Sequence, residues 1–258
     1  MSFNIRYGLA DDGENHWERR KSLVVDRVRA YDPDLLGLQE CRDDSQAEFI
    51  KASLWDYEFL GVPRGGDSVT APEMAPVLVK RWAFQVMQWE TFWLSETPHI
   101  QGSKSWGGVF PRTATWVDLI DLSSNRPLIF VNTHFDYEPS AIQASARFLM
   151  DWISDGIGHH PLLLAGDFNV DKKSLPYQEL TSGTHPMKDV FSTGNLAQED
   201  GGTFHGFGME THPQPIDWIL VSDHFSVLNA DIDPYHKGNL FPSDHYPVTA
   251  TLDWIDRT

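Results

Sequence analysis

The sequence predicts a mixed α/β fold, with sheets at the centre and helices outside. Three observations carry that expectation. Apolar runs of strand length outnumber runs with helical spacing, and the helices are scattered among them. Several neighbouring strand candidates are separated only by short turns, which suits antiparallel or mixed pairing better than a purely parallel sheet. Hydrophobic residues form 41% of the 258, with ten Trp and fifteen Phe, enough to build a large core.

The elements follow in order. Ser2–Tyr7 reads as a strand. Asn15 stands three residues before Glu18, the spacing of a capping box, and the helix after it carries Trp17, Val24, Val28 and Tyr31 on one face. Leu35–Gln39 is a short apolar strand behind Pro33, and a helix from Ser45 to Leu54 buries Phe49, Ile50 and Leu54. Tyr57–Val62, Val77–Val79 and Phe84–Trp89 are further strands. Thr113–Ile120 and Leu128–Asn132 are joined by a Ser123-Ser124-Asn125 turn. A helix from Ser140 to Ile153 places Ile142, Ala146, Leu149 and Ile153 together. Strands Leu162–Ala165, Ile216–Val221, His224–Ile232 and Pro247–Trp254 complete the chain, the last alternating Val248, Ala250, Leu252 and Trp254.

No repeat, low-complexity tract or linker interrupts this pattern. The loops at Gly65–Pro76 and Glu96–Pro111 are too short to separate domains, so one domain over 1–258 is expected. Twenty Lys and Arg against 37 Asp and Glu give a formal charge of −17, which repels a long duplex nucleic acid and makes carboxylate clusters candidates for divalent metal. The densest basic cluster is Arg19-Arg20-Lys21, and Gln198-Glu199-Asp200 reads as solvated surface. Cys41 is the only cysteine, which excludes an internal disulfide and suits the cytoplasm. No apolar run approaches the roughly 18 residues of a membrane span. A strand that opens at residue 2 looks clipped; a preceding segment, secretory or periplasmic targeting included, is the alternative to the cytoplasmic expectation.

The polar residues that carry chemistry fall at strand ends. Asn4 lies in the first strand, Glu40 ends Leu35-Leu36-Gly37-Leu38-Gln39, and His134 follows Phe130-Val131-Asn132-Thr133. Asp167 and Asn169 follow Leu162-Leu163-Leu164-Ala165-Gly166, Asp217 opens a strand, and Asp244-His245 precedes the last one. A charged group beside an apolar strand must be solvated, paired or bound to metal. Several at strand ends can converge on one rim of a sheet. A Walker-type phosphate loop, zinc-finger spacing and a Gly-x-Ser-x-Gly elbow are all missing from the sequence.

Taken in order, Ser2-Phe3-Asn4-Ile5-Arg6, Leu38-Gln39-Glu40, Asn132-Thr133-His134, Gly166-Asp167-Phe168-Asn169, Ile216-Asp217-Trp218-Ile219 and Ser243-Asp244-His245 resemble the endonuclease/exonuclease/phosphatase superfamily, the DNase I-like fold. The resemblance spans the whole chain and is specific to the superfamily, not to a substrate. Segments around Glu73 and Arg112 resemble its deadenylase and nocturnin-like branch and the bacterial relatives of that branch. The resemblance implies a four-layer α/β sandwich, two mixed sheets face to face with helices outside.

It also implies roles. Glu40 holds Mg²⁺, with Mn²⁺ as substitute, beside Asn4 and close to Asp244. Asp167 positions or deprotonates the attacking water, and Asn169 orients water and phosphate. His134 donates to a phosphoryl oxygen. His245 is general base or phosphate donor, held by Asp217. Phosphoryl transfer needs charge neutralisation and in-line placement more than covalent help, which such a set supplies. Glu73 then lies near phosphate or metal. Arg112 is either a phosphate clamp or a strand-edge Arg paired with a surface acid. Trp106 either stacks a base or sugar or covers the sheet rim. His205 is either a pocket wall or an ordinary loop residue. His16, His99, His159, His160, His185, His212, His224 and His236 read as solvated.

The expected activity is a Mg²⁺-dependent phosphoric ester hydrolase. Its substrate is a phosphate monoester or phosphodiester of a small metabolite, nucleotide or oligonucleotide, attacked in line by an activated water. A DNA-repair or nonspecific nuclease is the alternative within enzymes, and a catalytically silent binding protein the alternative outside them.

Overall fold

A computed structural model describes residues 1–66, 71–157, 159–183, 185–192, 201–209 and 212–256. Residues 198–200, read above as solvated surface, lie outside the described residues, as do 67–70 of the first loop.

The chain opens with β1 (Ser2–Asn4), α1 (Trp17–Tyr31), β2 (Leu35–Gln39), β3 (Cys41–Arg42) and α2 (Ser45–Ser53). Strands β4 (Tyr57–Leu60), β5 (Glu73–Met74), β6 (Val77–Lys80), β7 (Phe84–Trp93), β8 (Thr113–Asp121) and β9 (Arg126–His134) follow. The second half holds α3 (Pro139–Trp152), β10 (Leu162–Asp167), α4 (Leu175–Ser182), β11 (Lys188–Asp189), β12 (Asp217–Val221), β13 (Phe225–Ile232) and β14 (Val248–Trp254).

Two six-stranded sheets result, ordered β13-β14-β1-β2-β6-β4 and β11-β12-β10-β9-β8-β7. Both are mixed: β1 with β2 and β9 with β10 run parallel, and the remaining neighbours run antiparallel. Three apolar clusters define four layers. Leu35, Val77 and Val79 of the first sheet meet Val117, Phe130 and Leu163 of the second between the sheets. Trp17, Val24 and Ile50 of α1 and α2 cover the first sheet's other face, and Ile142, Ala146 and Leu149 of α3 cover the second's.

A polar bridge fastens the sheets to each other. Gln39 donates to Asn132 Oδ1 at 2.7 Å, and Asn132 donates to the Leu38 and Pro76 carbonyls at 2.7 and 2.8 Å. The approach leaves no room for a side chain at Gly37, whose Cβ would lie 2.5 Å from Asn132 Oδ1. Gly166 answers the same need in the second sheet, where a Cβ would meet the Thr133 carbonyl at 2.4 Å.

Some local expectations are corrected. The first strand stops at Asn4 because Arg6 adopts φ 54 and turns the chain. His16, not Asn15, caps α1 by accepting from the Glu18 N–H, while Asn15 accepts from the Phe241 N–H at 3.1 Å. Helix α4, capped by Ser174, and the short β3–β5 pair were not anticipated. No helix among the described residues is long and apolar enough to cross a membrane.

Candidate active site

The register of the second sheet sets three chemical groups side by side. Asp167 stands opposite His134 on β9 and opposite Asp217 on β12. In the first sheet, Asn4 stands opposite Gln39, the residue before Glu40. These strand ends meet at one mouth of the sandwich, so the residues expected to converge do so.

Backbone geometry aims them. Glu40 and Asn169, each just past a strand, adopt φ 58 and 53. Asn tolerates that left-handed region; Glu pays a steric penalty that surrounding bonds must offset. The Glu40 carboxylate accepts from Asn4 Nδ2 at 3.1 Å and from the Tyr7 N–H at 3.0 Å. The Arg6 N–H donates to Asn4 Oδ1 at 2.9 Å and so fixes which way the amide faces. Asn4 Nδ2 also donates to Asp167 Oδ2 at 2.9 Å, linking the two sheets. Asn169 donates its N–H to Asp167 Oδ1 and its side-chain amide to the Phe135 carbonyl, both at 2.9 Å.

His245 completes the cluster. Its Nδ1 lies 2.8 Å from Asp217 Oδ2, and its Nε2 lies 3.8 Å from Asp167 Oδ2. Thr203 holds the pair together. Its hydroxyl accepts from the Ile216 and Asp217 N–H groups at 3.0 and 3.1 Å, while its carbonyl accepts from the Tyr246 N–H at 2.8 Å.

Burial is deep throughout, with Asn4, Asp167 and Asp217 at most 2% exposed. Burial lowers the His245 pKa, but Asp217 and Asp167 outweigh it and push it up to about 10. Burial and then the Asp217 charge push Asp167 up to about 7. Burial likewise raises Asp244. Glu40 goes the other way: burial opposes its charge, yet Arg6 and the Asn4 bond hold it low. His134 falls well below the ordinary range through burial, then Arg112 and Arg64, so it stands neutral.

A second group adjoins His134. Arg64, Glu73, Arg112, Thr113 and His134 line one small cavity. Arg64 donates to Glu73 at 3.0 Å, and Arg112 lies 4.0 Å from Asp136. Phe110 is a shared cation–π partner, its ring 4.9 Å from the Arg64 guanidinium carbon and 5.4 Å from that of Arg112. Both Arg Nε atoms and His134 Nε2 are buried without a hydrogen-bond partner among the described residues. Buried donors left unmade are costly.

Arg112 is therefore no surface ion pair, and Glu73 is the partner of Arg64, its pKa raised to about 7 by burial against that cation. Arg64, Arg6 and Thr203 carry parts of the site that sequence reasoning missed. His205 stacks its ring on Tyr246 at 3.9 Å, and its backbone N–H donates to the Asp244 carbonyl. Trp106 is the exception. Its ring packs on Phe148 of α3 and its carbonyl accepts from Ser140, so its observed partners lie on the helix layer rather than among the clustered residues.

Asp167, Asp217 and His245 form a buried group of the kind that could hold a metal ion. One oxygen or nitrogen from each of Asp167, Asp217 and His245 lies within 4.8 Å of the others, and Asp217 Oδ1 is buried without a partner among the described residues. Carboxylates crowded in a dry pocket repel one another until a cation or proton joins them.

The family model for the endonuclease/exonuclease/phosphatase family matches residues 1–245. The chain belongs to that family. Among solved structures, an endonuclease/exonuclease/phosphatase of Bacteroides vulgatus is 33% identical at TM-score 0.91, covering 98% of this chain and 97% of its own. The mannosyl-6-phosphatase of Bacteroides thetaiotaomicron is 28% identical at TM-score 0.86, covering 98% of each chain. The human nocturnin catalytic domain, solved with bound sulfate, is 19% identical at TM-score 0.75, covering 98% and 93%; that likeness is one of fold. This chain thus has the fold and family of phosphoester hydrolases.

Proposed function

We propose that this family member is a Mg²⁺-dependent phosphatase, with Mn²⁺ as substitute, acting as a single domain on a phosphate monoester of a small metabolite, a sugar phosphate or nucleotide. The observation that carries the reading is the His245–Asp217 pair facing Asp167, beside Glu40 and the Arg64–Arg112–His134 cavity.

Glu40 is the principal cation ligand, with Asn4 beside it and Asp244 close by. Glu40 suits this better than the tighter His245 group, because magnesium seeks oxygen and His245 Nδ1 is already engaged by Asp217. The cation supplies charge neutralisation at the phosphate and lowers the pKa of bound water.

The chain's own groups do the rest. Asp167 and Asn169 orient the attacking water. Asp217 keeps the His245 Nε2 edge turned toward the reacting phosphate, where it takes or donates a proton. His134, neutral and with its Nε2 3.5 Å from Asp167 Oδ2, donates to a phosphoryl oxygen. Arg64 and Arg112 grip the non-bridging oxygens in the planar manner of guanidinium groups. Two buried guanidinium groups suit a terminal dianion better than a diester, and the mannosyl-6-phosphatase relative supports that choice. The net charge of −17 weighs against long duplex nucleic acid.

The test is release of inorganic phosphate from a panel of sugar phosphates, nucleotides, bis(p-nitrophenyl) phosphate and duplex DNA, with Mg²⁺ and with chelator. Turnover of monoesters, abolished by chelator and by His245→Ala, is expected. Activity indifferent to chelator, or confined to DNA, defeats the reading.

A further inference from the structure

Arg20 stands in the first turn of α1 and is fully buried. Among the described residues, every hydrogen bond of its guanidinium goes to a backbone carbonyl. Nε donates to Asn15 at 2.8 Å. One terminal nitrogen donates to Ile5 at 2.6 Å and to Pro242 at 3.0 Å, and the other to Arg6 at 2.9 Å. The rings of Trp17 and Phe207 have centroids 5.2 and 5.7 Å from the guanidinium carbon.

The grip matters because of what the far side of each peptide unit does. A trans peptide unit is planar, its C=O and N–H point opposite ways, and fixing one aims the other. The Ile5 carbonyl shares its unit with the Arg6 N–H, which donates to Asn4 Oδ1 at 2.9 Å. The Arg6 carbonyl shares its unit with the Tyr7 N–H, which donates to the Glu40 carboxylate at 3.0 Å. Two consecutive units thus carry Arg20 on one side and a site residue on the other. This stretch needs holding, because Arg6 sits in the left-handed region at φ 54.

The remaining contact reaches the other end of the chain. Pro242 lies two residues before Asp244, and Ser243 between them donates its hydroxyl to Asp244 Oδ1 at 3.2 Å. A single nitrogen of Arg20 therefore joins the segment behind β1 to the segment that presents Asp244 and His245.

We propose that Arg20 is a positioning residue of the active site, setting the two peptide planes around Arg6 and through them the Asn4 amide and the Glu40 carboxylate. This rests on the reading of Glu40 as the principal cation ligand. Arg20 touches no reacting group; it acts through the backbone of others. The planar fork is essential to that role. A lysine keeps the charge, but its compact ammonium cannot meet carbonyls on three separate segments.

The test compares Arg20→Lys with Arg27→Lys, the same exchange seven residues along α1, where the guanidinium faces Asp233. In Arg20→Lys, hydrogen exchange at the Arg6 and Tyr7 amides should quicken about tenfold more than at the β10 amides. The half-saturating Mg²⁺ concentration, read from the melting temperature, should rise about tenfold. At saturating Mg²⁺, kcat for a monoester should fall about 10- to 100-fold, with KM changed by less than about threefold. Arg27→Lys should lose stability alone. Phe207→Leu removes one ring partner and none of the hydrogen bonds. It should show the Arg20→Lys pattern at smaller amplitude, and it carries the test if Arg20→Lys does not fold. A wild type without Mg²⁺-dependent turnover defeats the functional reading, and the amide exchange then decides on Arg20. Exchange at Arg6 and Tyr7 no faster than in β10, wild-type kcat despite faster exchange, or equal effects in Arg27→Lys overturn the proposal.

Discussion

His245 Nδ1 stands 2.8 Å from Asp217 Oδ2, and the two residues come from segments that Thr203 ties together. The bond fixes the imidazole's orientation and its tautomer when neutral. Asp217→Asn keeps the shape but loses the charge and the acceptor preference. Turnover is expected to fall by roughly 10²–10⁴ with little change in KM. His245→Ala should cost about as much, and the double variant little more, since the pair acts as a unit. Steady-state kinetics of the three variants measure this; additive losses would separate the roles of the two residues.

Arg64 and Arg112 are expected to act on binding. Arg112→Lys keeps the charge but loses the planar fork, and KM for a monoester should rise about 10- to 100-fold, in line with hydrogen bonds to charged groups worth about 1.5–3 kcal/mol. Arg64→Met also strips Glu73 of its partner, so Arg64→Met/Glu73→Gln should recover the stability that the single variant loses, but not the KM. Unaltered KM in both Arg variants would remove the cavity beside His134 from the substrate site.

Glu40 gives a readout that needs no turnover. A cation that binds only the folded protein stabilises it by mass action, so millimolar Mg²⁺ should raise the wild-type melting temperature. Glu40→Gln should abolish that rise. In chelator the variant should melt somewhat lower than the wild type, because the groups that hold the Glu40 pKa low also stabilise its charge in the folded protein. An Mg²⁺ response that survives in Glu40→Gln would move the ligand role elsewhere.

Asp121 offers a pH test far from the catalytic cluster. It accepts from Ser123 and Ser124 and, across to the first sheet, from Trp254 Nε1 at 2.9 Å. Although burial opposes its charge, these donors bring its pKa from 3.8 down to about 2. A carboxylate more acidic in the folded state stabilises fully above the unfolded value, about pH 4, and its contribution drains away as pH falls through 2. Asp121→Asn should therefore destabilise by roughly 1–3 kcal/mol at pH 7 and by less at pH 2.5. Urea unfolding at the two pH values decides it; a penalty independent of pH would mean that shape rather than charge is at work.

Most of the architecture was legible because it rests on periodicity that burial enforces. β2 and β10 are short apolar runs buried along their whole length, and their ends had to carry the polar residues. The convergence of Asn4, Glu40, Asp167, Asp217 and His245 followed from motif order. Arg64 was not legible, since it sits in a Pro-Gly loop and Glu73, nine residues on, reaches it only through the fold. Arg20 belongs to Arg19-Arg20-Lys21, the densest basic cluster of the sequence. It is fully buried, donating to the Ile5, Arg6, Asn15 and Pro242 carbonyls of the backbone beside the site. For Trp106 the sequence allows a stacking platform or a cover over the sheet rim, because aromatic residues in Gly-rich loops look alike until their neighbours are known.

The left-handed backbone at Glu40 has a consequence for anyone trying to make this protein hardier. A glycine at position 40 would sit in that conformation without steric cost, but it would leave the Tyr7 N–H without its acceptor and remove a charge that Arg6 and Asn4 stabilise. Relief of backbone strain is therefore the wrong route to a hardier protein at this position, since the side chain's contacts are what hold the strained turn in place.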